Sequence, residues 1–92
     1  MSVITLAARV AWLDMTGTGN DVVYATALPD GPPLVLGGTA GLIFVSAVDG
    51  GTEDEIVERV AATAGLDTDA VRPDVLAFLD HLVSRGLLTR TP

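Results

Sequence analysis

The chain has 92 residues and a formal net charge of −7, from 12 acidic residues against five arginines and no lysine. Such an acidic surface repels phosphates, so nucleic acids and anionic membranes are disfavoured as partners. The absence of cysteine excludes a disulfide framework and a thiolate metal site. With 49% hydrophobic and 18% charged residues, the composition predicts a single globular domain over residues 1–92.

The N-terminal residues lack the pattern of a secretory signal. The first basic residue is Arg9, and no cleavage pattern accompanies it. The longest apolar runs in the chain are also far shorter than a membrane span. We therefore expect a cytoplasmic protein.

The first part of the chain is predicted to form an antiparallel sheet. Residues 1–8 are mildly apolar and are expected to be a tail or an extra strand. Alternation over residues 10–15 indicates a short strand with Trp12 on its buried face. Two more strands are predicted at residues 22–28 and 34–36, and the glycine- and proline-rich segments between strands favour turns. The three strands would form a meander.

Two helices are predicted to follow the meander. The first runs to residue 48, is capped by Thr39 and contains almost no polar residue, so it should be the most buried helix. The second begins at a capping box formed by Thr52 and Glu55 and ends at Gly65. Its inner face is predicted to consist of Ile56, Val57, Val60, Ala61 and Ala64.

The last helix, predicted within residues 69–88, carries the strongest periodic signal. Pro73 is tolerable only in a first turn, so the regular helix should start between residues 69 and 72. Gly86 is predicted to end the helix in the left-handed conformation, with Leu87 folding back onto it. One apolar stripe at helical spacing consists of Val71, Val75, Phe78, Leu79 and Leu82.

Three strands followed by three helices predict an α+β domain that is winged-helix-like, with residues 89–92 as a tail. Leu76 and Val83 form a second apolar edge on the last helix, which indicates a contact outside the helix's own core. The predicted core of the domain consists of Trp12, Ile43, Phe44, Ile56, Val60, Phe78, Leu79 and Leu82.

No group of residues has the spacing of a catalytic, cofactor or metal site. The acidic residues within 53–58 lie at a helix start, where capping explains them better than a calcium loop does. His81 follows Asp80, but adjacent helical residues point apart, and no nucleophile has a recognisable setting. The diglycine at residues 37–38 lacks the lysine and spacing of a phosphate loop. No enzyme, cofactor or metal is predicted.

A series of short motifs gives the chain a more specific signature through their order and spacing. The motifs are Leu36, Thr39 to Phe44, Val48 to Gly50, Thr52, Glu55 with Ile56, Asp74 to Leu79, Leu82, and Gly86 to Leu88. In these motifs the stretch from about residue 22 to residue 88 resembles the PqqD family, whose small domains are also called RiPP recognition elements. Gly37 is a departure, since the family often has an asparagine there.

The resemblance implies a non-catalytic peptide-binding chaperone. In the family, the leader segment of a ribosomally made precursor peptide adds as a strand to the third strand and lies against the last helix. The bound leader is presented to a modifying enzyme, such as a radical-SAM protein. Edge strands suit this role because their N–H and C=O groups are unpaired. The implied peptide-binding residues are Leu34, Val35, Leu36, Arg72, Leu76, Leu79 and Val83.

Arg72 is one of only five cations, so an acidic residue of the peptide is expected near it. Other classes of protein share parts of the pattern. A winged-helix DNA-binding module or another protein-interaction module has a similar order of elements, but the net charge argues against DNA. A carrier protein needs a serine at a helix start, whereas Ser46 lies inside a helix and Ser84 near a helix end. A small enzyme would need a catalytic cluster.

Overall fold

The computed structural model describes residues 2–15, 22–29 and 31–91. Six strands and three helices form two sheets and a helical layer within these residues. The elements are β1 (Val3–Leu6), β2 (Val10–Asp14), β3 (Val22–Ala27), β4 (Leu34–Gly37), α1 (Thr39–Val48), β5 (Gly51–Thr52), α2 (Glu53–Ala64), α3 (Thr68–Ser84) and β6 (Leu88–Thr91).

The predicted meander is present as the antiparallel sheet β2-β3-β4. The inner face of this sheet carries Val23, Ala25 and Leu36, all of them buried in the core. The meander is followed by three helices, so the predicted α+β class is confirmed. One face of the sheet packs on the core and the other is exposed, as is common for antiparallel sheets.

Residues 3–6 form the extra strand that was expected as the alternative to a tail, and residues 88–91 form a strand where a tail was expected. β1 lies in the middle of a second sheet with order β5-β1-β6, and Val3 at one end of the chain pairs with Thr91 at the other. Ile4 and Leu88 bury their side chains in the core from this sheet. Removing these two large aliphatic side chains from water stabilises the two short strands that carry them.

The caps of the second and third helices follow the sequence prediction. In α2, the N–H of Glu55 donates to the Thr52 hydroxyl, and the N–H of Thr52 donates to Glu55 Oε1 at 2.9 Å. At the end of α3, Gly86 has a φ of 80°, and the N–H of Leu87 donates to Leu82 O at 3.0 Å. Both Leu87 and Leu82 are buried, so this turn is the predicted Schellman-type end.

Three local predictions about the helices are wrong. Gly38, not Thr39, is the N-cap of α1, and no side chain caps that helix. Ala64 is exposed rather than part of the inner face of α2. Pro73 lies inside α3, which begins already at Thr68. A proline there removes one backbone hydrogen bond, and the burial of the neighbouring valines on α3 compensates for it.

The core matches the predicted set except at two aromatic residues. Trp12 lies opposite Ala25 on the inner face of the meander, but it is 38% exposed because β2 is an edge strand. Phe78 is only partly buried and stacks on His81, with ring centroids 5.7 Å apart. The other predicted members are buried: Ile43, Phe44, Ile56, Val60, Leu79 and Leu82.

Gly41 sets how closely α1 approaches the meander. A Cβ atom at this position would lie 2.9 Å from the carbonyl oxygen of Leu36 and 3.1 Å from a methyl carbon of Val23. Real Cβ atoms essentially never approach another atom as closely as 2.9 Å, so a larger residue would require the helix to move away from the sheet. The small residue therefore fixes α1 against β3 and β4.

Candidate functional site

β4 is an edge strand, since within residues 2–15, 22–29 and 31–91 it pairs only with β3. Hydrogen bonds at the far side of β3 show which way its backbone groups point. The N–H of Met15 donates to Val22 O at 3.0 Å, and the N–H of Leu28 donates to Arg9 O at 2.6 Å. Because these bonds alternate along an antiparallel ladder, the even-numbered residues of β3 direct their N–H and C=O groups toward β2.

The odd-numbered residues of β3 therefore direct their backbone groups toward β4. There Val23 lies opposite Leu36, and Ala25 lies opposite Leu34. Alternate residues of a strand direct these groups to opposite edges, so the N–H and C=O of Val35 point away from β3. Val35 thus offers a donor and an acceptor at the outer edge of the sheet, which is the geometry needed for an added strand.

Val35 also belongs to an apolar row on the outer face of the meander, which we call the outer row. Leu13 lies opposite Tyr24, and Tyr24 lies opposite Val35, so the outer row crosses all three strands. The three side chains are 57%, 43% and 61% exposed, respectively. Of this row, only Val35 was predicted from the sequence as a site residue, although the alternation of apolar and polar residues in each predicted strand carried a signal for the others.

Beside the outer row lies a shallow concavity of about 220 Å³. Among residues 2–15, 22–29 and 31–91, no charged residue lines it. The residues that line it are Ala11, Trp12, Leu13, Tyr24, Ala25, Thr26 and Pro33.

Two of the predicted α3 residues line a cleft that includes no residue of β4. Arg72 and Leu76 lie together in this cleft of about 230 Å³, whose other lining residues are Ser2 and residues 52–54. Arg72 donates a hydrogen bond to Asp54, and this bond raises the pKa of Arg72 above its ordinary value. The guanidinium is therefore already engaged by an acidic residue of the chain itself, whereas the sequence predicted an acidic residue of a peptide near it.

The other predicted site residues divide by burial. Leu36 and Leu79 belong to the buried core, so neither side chain is exposed to a ligand. Leu34, Leu76 and Val83 are partly buried and pack against the core. Val35 is thus the most exposed side chain of the predicted set on β4.

Two arginines, Arg59 and Arg90, connect different parts of the fold through hydrogen bonds and an ion pair. Arg59 donates to the carbonyl oxygens of Ser46 and Gly50, at 2.9 and 2.6 Å, and so closes the turn after α1. Arg90 Nη2 on β6 lies 2.6 Å from Asp80 Oδ1 on α3.

Among the described residues, no group of acidic, histidine or cysteine side chains is arranged to hold a metal ion. In the same part of the chain, no helix combines the length and apolarity needed to cross a bilayer.

These features define a small α+β domain with an exposed antiparallel edge strand and an outer sheet face that carries an apolar row. A family model described as coenzyme PQQ synthesis protein D (PqqD) matches residues 32–88, which is more than half of the chain. The chain therefore belongs to the PqqD family, as its motifs indicated. No curated protein and no solved structure matches it significantly. The match includes β4 and all three helices, whereas β2 and β3 precede it.

Proposed function

We propose that this protein is a non-catalytic accessory protein that binds the leader segment of a ribosomally made precursor peptide and presents it to a modifying enzyme, such as a radical-SAM protein. Membership of the PqqD family supports a role in the biosynthesis of a modified peptide. A binding role also suits a domain whose described residues include no metal-ligand cluster. We propose no cofactor for it.

The free edge of β4 is the observation that carries this proposal. In strand addition, the backbone of an extended peptide supplies hydrogen bonds, and its alternate side chains supply specificity. Val35 directs its N–H and C=O outward, and β4 lies inside the part of the chain that the family model matches. β2 is the other edge of the meander, but it lies outside the match. We therefore assign the peptide to β4.

The contributions of the predicted residues differ in this proposal. Val35 pairs with the peptide, and Leu34 flanks it. Leu36 anchors β4 in the core, and Leu79 belongs to the core on α3, since both are buried. Leu76 and Val83 supply apolar surface on α3, for the part of the peptide that extends past the edge. Arg72 contributes little, because an acidic peptide residue would have to compete with Asp54.

A cytoplasmic peptide-binding role is also consistent with the distribution of charge. Three of the five arginines, Arg59, Arg72 and Arg90, make contacts within the chain, which leaves little basic surface for a nucleic acid. The free energy of binding would come from backbone pairing and apolar contacts. Binding should therefore depend only weakly on salt concentration.

The test is a selection of peptides followed by mapping of the bound one. A random library of ten-residue peptides is selected on the immobilised protein, and the most enriched peptide is titrated into isotope-labelled protein. We expect the largest NMR amide shifts at residues 34–37. Shifts confined to α2, with β4 unchanged, would contradict the proposal. A protein that enriches no peptide would contradict it as well.

A further inference from the structure

The outer row continues into any strand that pairs with β4. Residues that lie directly opposite each other in a sheet share a face, which is why Leu13, Tyr24 and Val35 line up on the outer side. A peptide residue placed opposite Val35 would become the fourth member of that row. Its two neighbours along the peptide would point to the other face of the sheet.

The backbone geometry places this peptide residue close to Val35. Because the N–H and C=O of Val35 point to the free edge, an antiparallel peptide would form a hydrogen-bonded pair with it. The two Cα atoms of such a pair lie about 5.5 Å apart. The peptide side chain at this position therefore contacts the Val35 side chain directly, and it contacts Tyr24 only if it is long.

We propose that Val35 is a specificity-determining residue, and that the peptide residue opposite it is β-branched or aromatic. This inference rests on the proposed function and adds the identity of one peptide position to it. Aromatic and β-branched cross-strand neighbours stabilise each other, and Tyr24 and Val35 already form such a pair. A charged side chain would instead lie beside an apolar row that offers it no partner of opposite sign.

The net charge of the protein adds to the preference for an uncharged peptide residue opposite Val35. An acidic peptide residue opposite Val35 would lie beside the apolar outer row on a molecule of net charge −7, and none of the three side chains of that row would compensate its desolvation. β-branched and aromatic residues avoid this cost and add contact area. We expect their enrichment at this single position to be roughly 1.5- to 5-fold over other residues, which is the range for cross-strand pairs.

The experiment compares the ten-residue library on three proteins: the wild type, Val35→Lys and Leu13→Lys. Val35→Lys should change the enriched residue at one position from β-branched or aromatic to Asp or Glu. Leu13→Lys is the matched control, since it adds the same charge to the same row at a similarly exposed site. β2 is three strand spacings, about 14 Å, from an added strand, so this variant should leave the preference unchanged.

A reciprocal variant, Val35→Glu, should shift the same position toward Lys or Arg, and it keeps the test decisive if the lysine variant folds poorly. The inference would be overturned if peptides still perturb the amides of residues 34–37 while both Val35 variants retain the wild-type preference. It would also be overturned if Leu13→Lys changed the preference as much as Val35→Lys does. Failure of the proposed function is distinct from these outcomes, because the wild type would then enrich no peptide that perturbs β4.

Discussion

Trp12 and Phe44 meet edge to face, with ring centroids 5.8 Å apart and ring planes at 71°. This contact joins an edge strand of the meander to α1, because Trp12 lies on β2 and Phe44 is fully buried in the helix. Edge-to-face pairs are stabilising beyond the area that they bury. The contact therefore helps to hold the meander on the helical layer, and so positions the edge of β4.

Phe44→Ala is expected to lower the free energy of unfolding by about 3–5 kcal/mol, because it leaves a cavity in a fully packed core. Phe78→Ala is the matched comparison, since Phe78 is only partly buried. We expect its effect to remain below about 2 kcal/mol. Urea denaturation of both variants measures the difference. Equal losses would show that Phe78 belongs to the core as fully as Phe44 does.

Local signals in the sequence predicted much of the fold. The capping box at Thr52 and the glycine end at Gly86 depend on residues only a few positions apart, and the structure contains both. The second sheet could not be predicted in the same way. Its central pairing joins Val3 to Thr91, across nearly the whole chain, and short strands of this kind have no strong local pattern.

Only part of the candidate site could be predicted, because its residues come together through the register of the three strands of the meander and the rotation of α3 about its own axis. The strand that includes Val35 was predicted, but the outer row requires knowing that Leu13, Tyr24 and Val35 lie opposite one another. The second apolar edge of α3 indicated a contact outside the core. Periodicity could not reveal that Leu76 shares a cleft with Ser2.

Arg59→Met is expected to destabilise the fold by about 1–3 kcal/mol, since hydrogen bonds from a charged donor to two carbonyl oxygens are lost while the aliphatic stem is kept. Arg9→Met is the control, because it removes the same charge from an exposed position. Urea denaturation at two salt concentrations provides the measurement. If both variants lose the same free energy, the net charge and not the hydrogen bonds of Arg59 explains the effect.

Glu55→Gln is expected to change how stability depends on pH. The backbone N–H and then the hydroxyl of Thr52 lower the pKa of Glu55 from its ordinary value of 4.5. A group with a lowered pKa stabilises the folded state above the unfolded value, and this contribution is lost as the pH falls through the folded pKa. The wild type should therefore be more stable than the variant at pH 7, and the difference should shrink below pH 4.5.

Thermal melts from pH 7 down to pH 3 measure this difference. Glu58→Gln is a suitable control, because it removes an exposed carboxylate of the same helix outside the capping box. A difference between wild type and Glu55→Gln that stays constant over this range would contradict the assignment to the ionised carboxylate.

Val35→Pro should separate peptide binding from folding. Proline is tolerated on an edge strand where the missing N–H would face solvent, and the N–H of Val35 points to the free edge. The fold should therefore survive. A peptide selected on the wild type would lose one backbone hydrogen bond and would meet the bulk of the ring. We expect calorimetry to show binding weakened roughly tenfold or more.

Leu34→Pro provides the opposite case on the same strand. The N–H of Leu34 points into the sheet, where Leu34 lies opposite Ala25, so proline there removes a ladder hydrogen bond and should lower the melting temperature. Val35→Thr keeps the N–H and a β-branched side chain, so it should bind with nearly wild-type affinity. If Val35→Pro bound the peptide as tightly as Val35→Thr does, the peptide would not pair with the edge of β4.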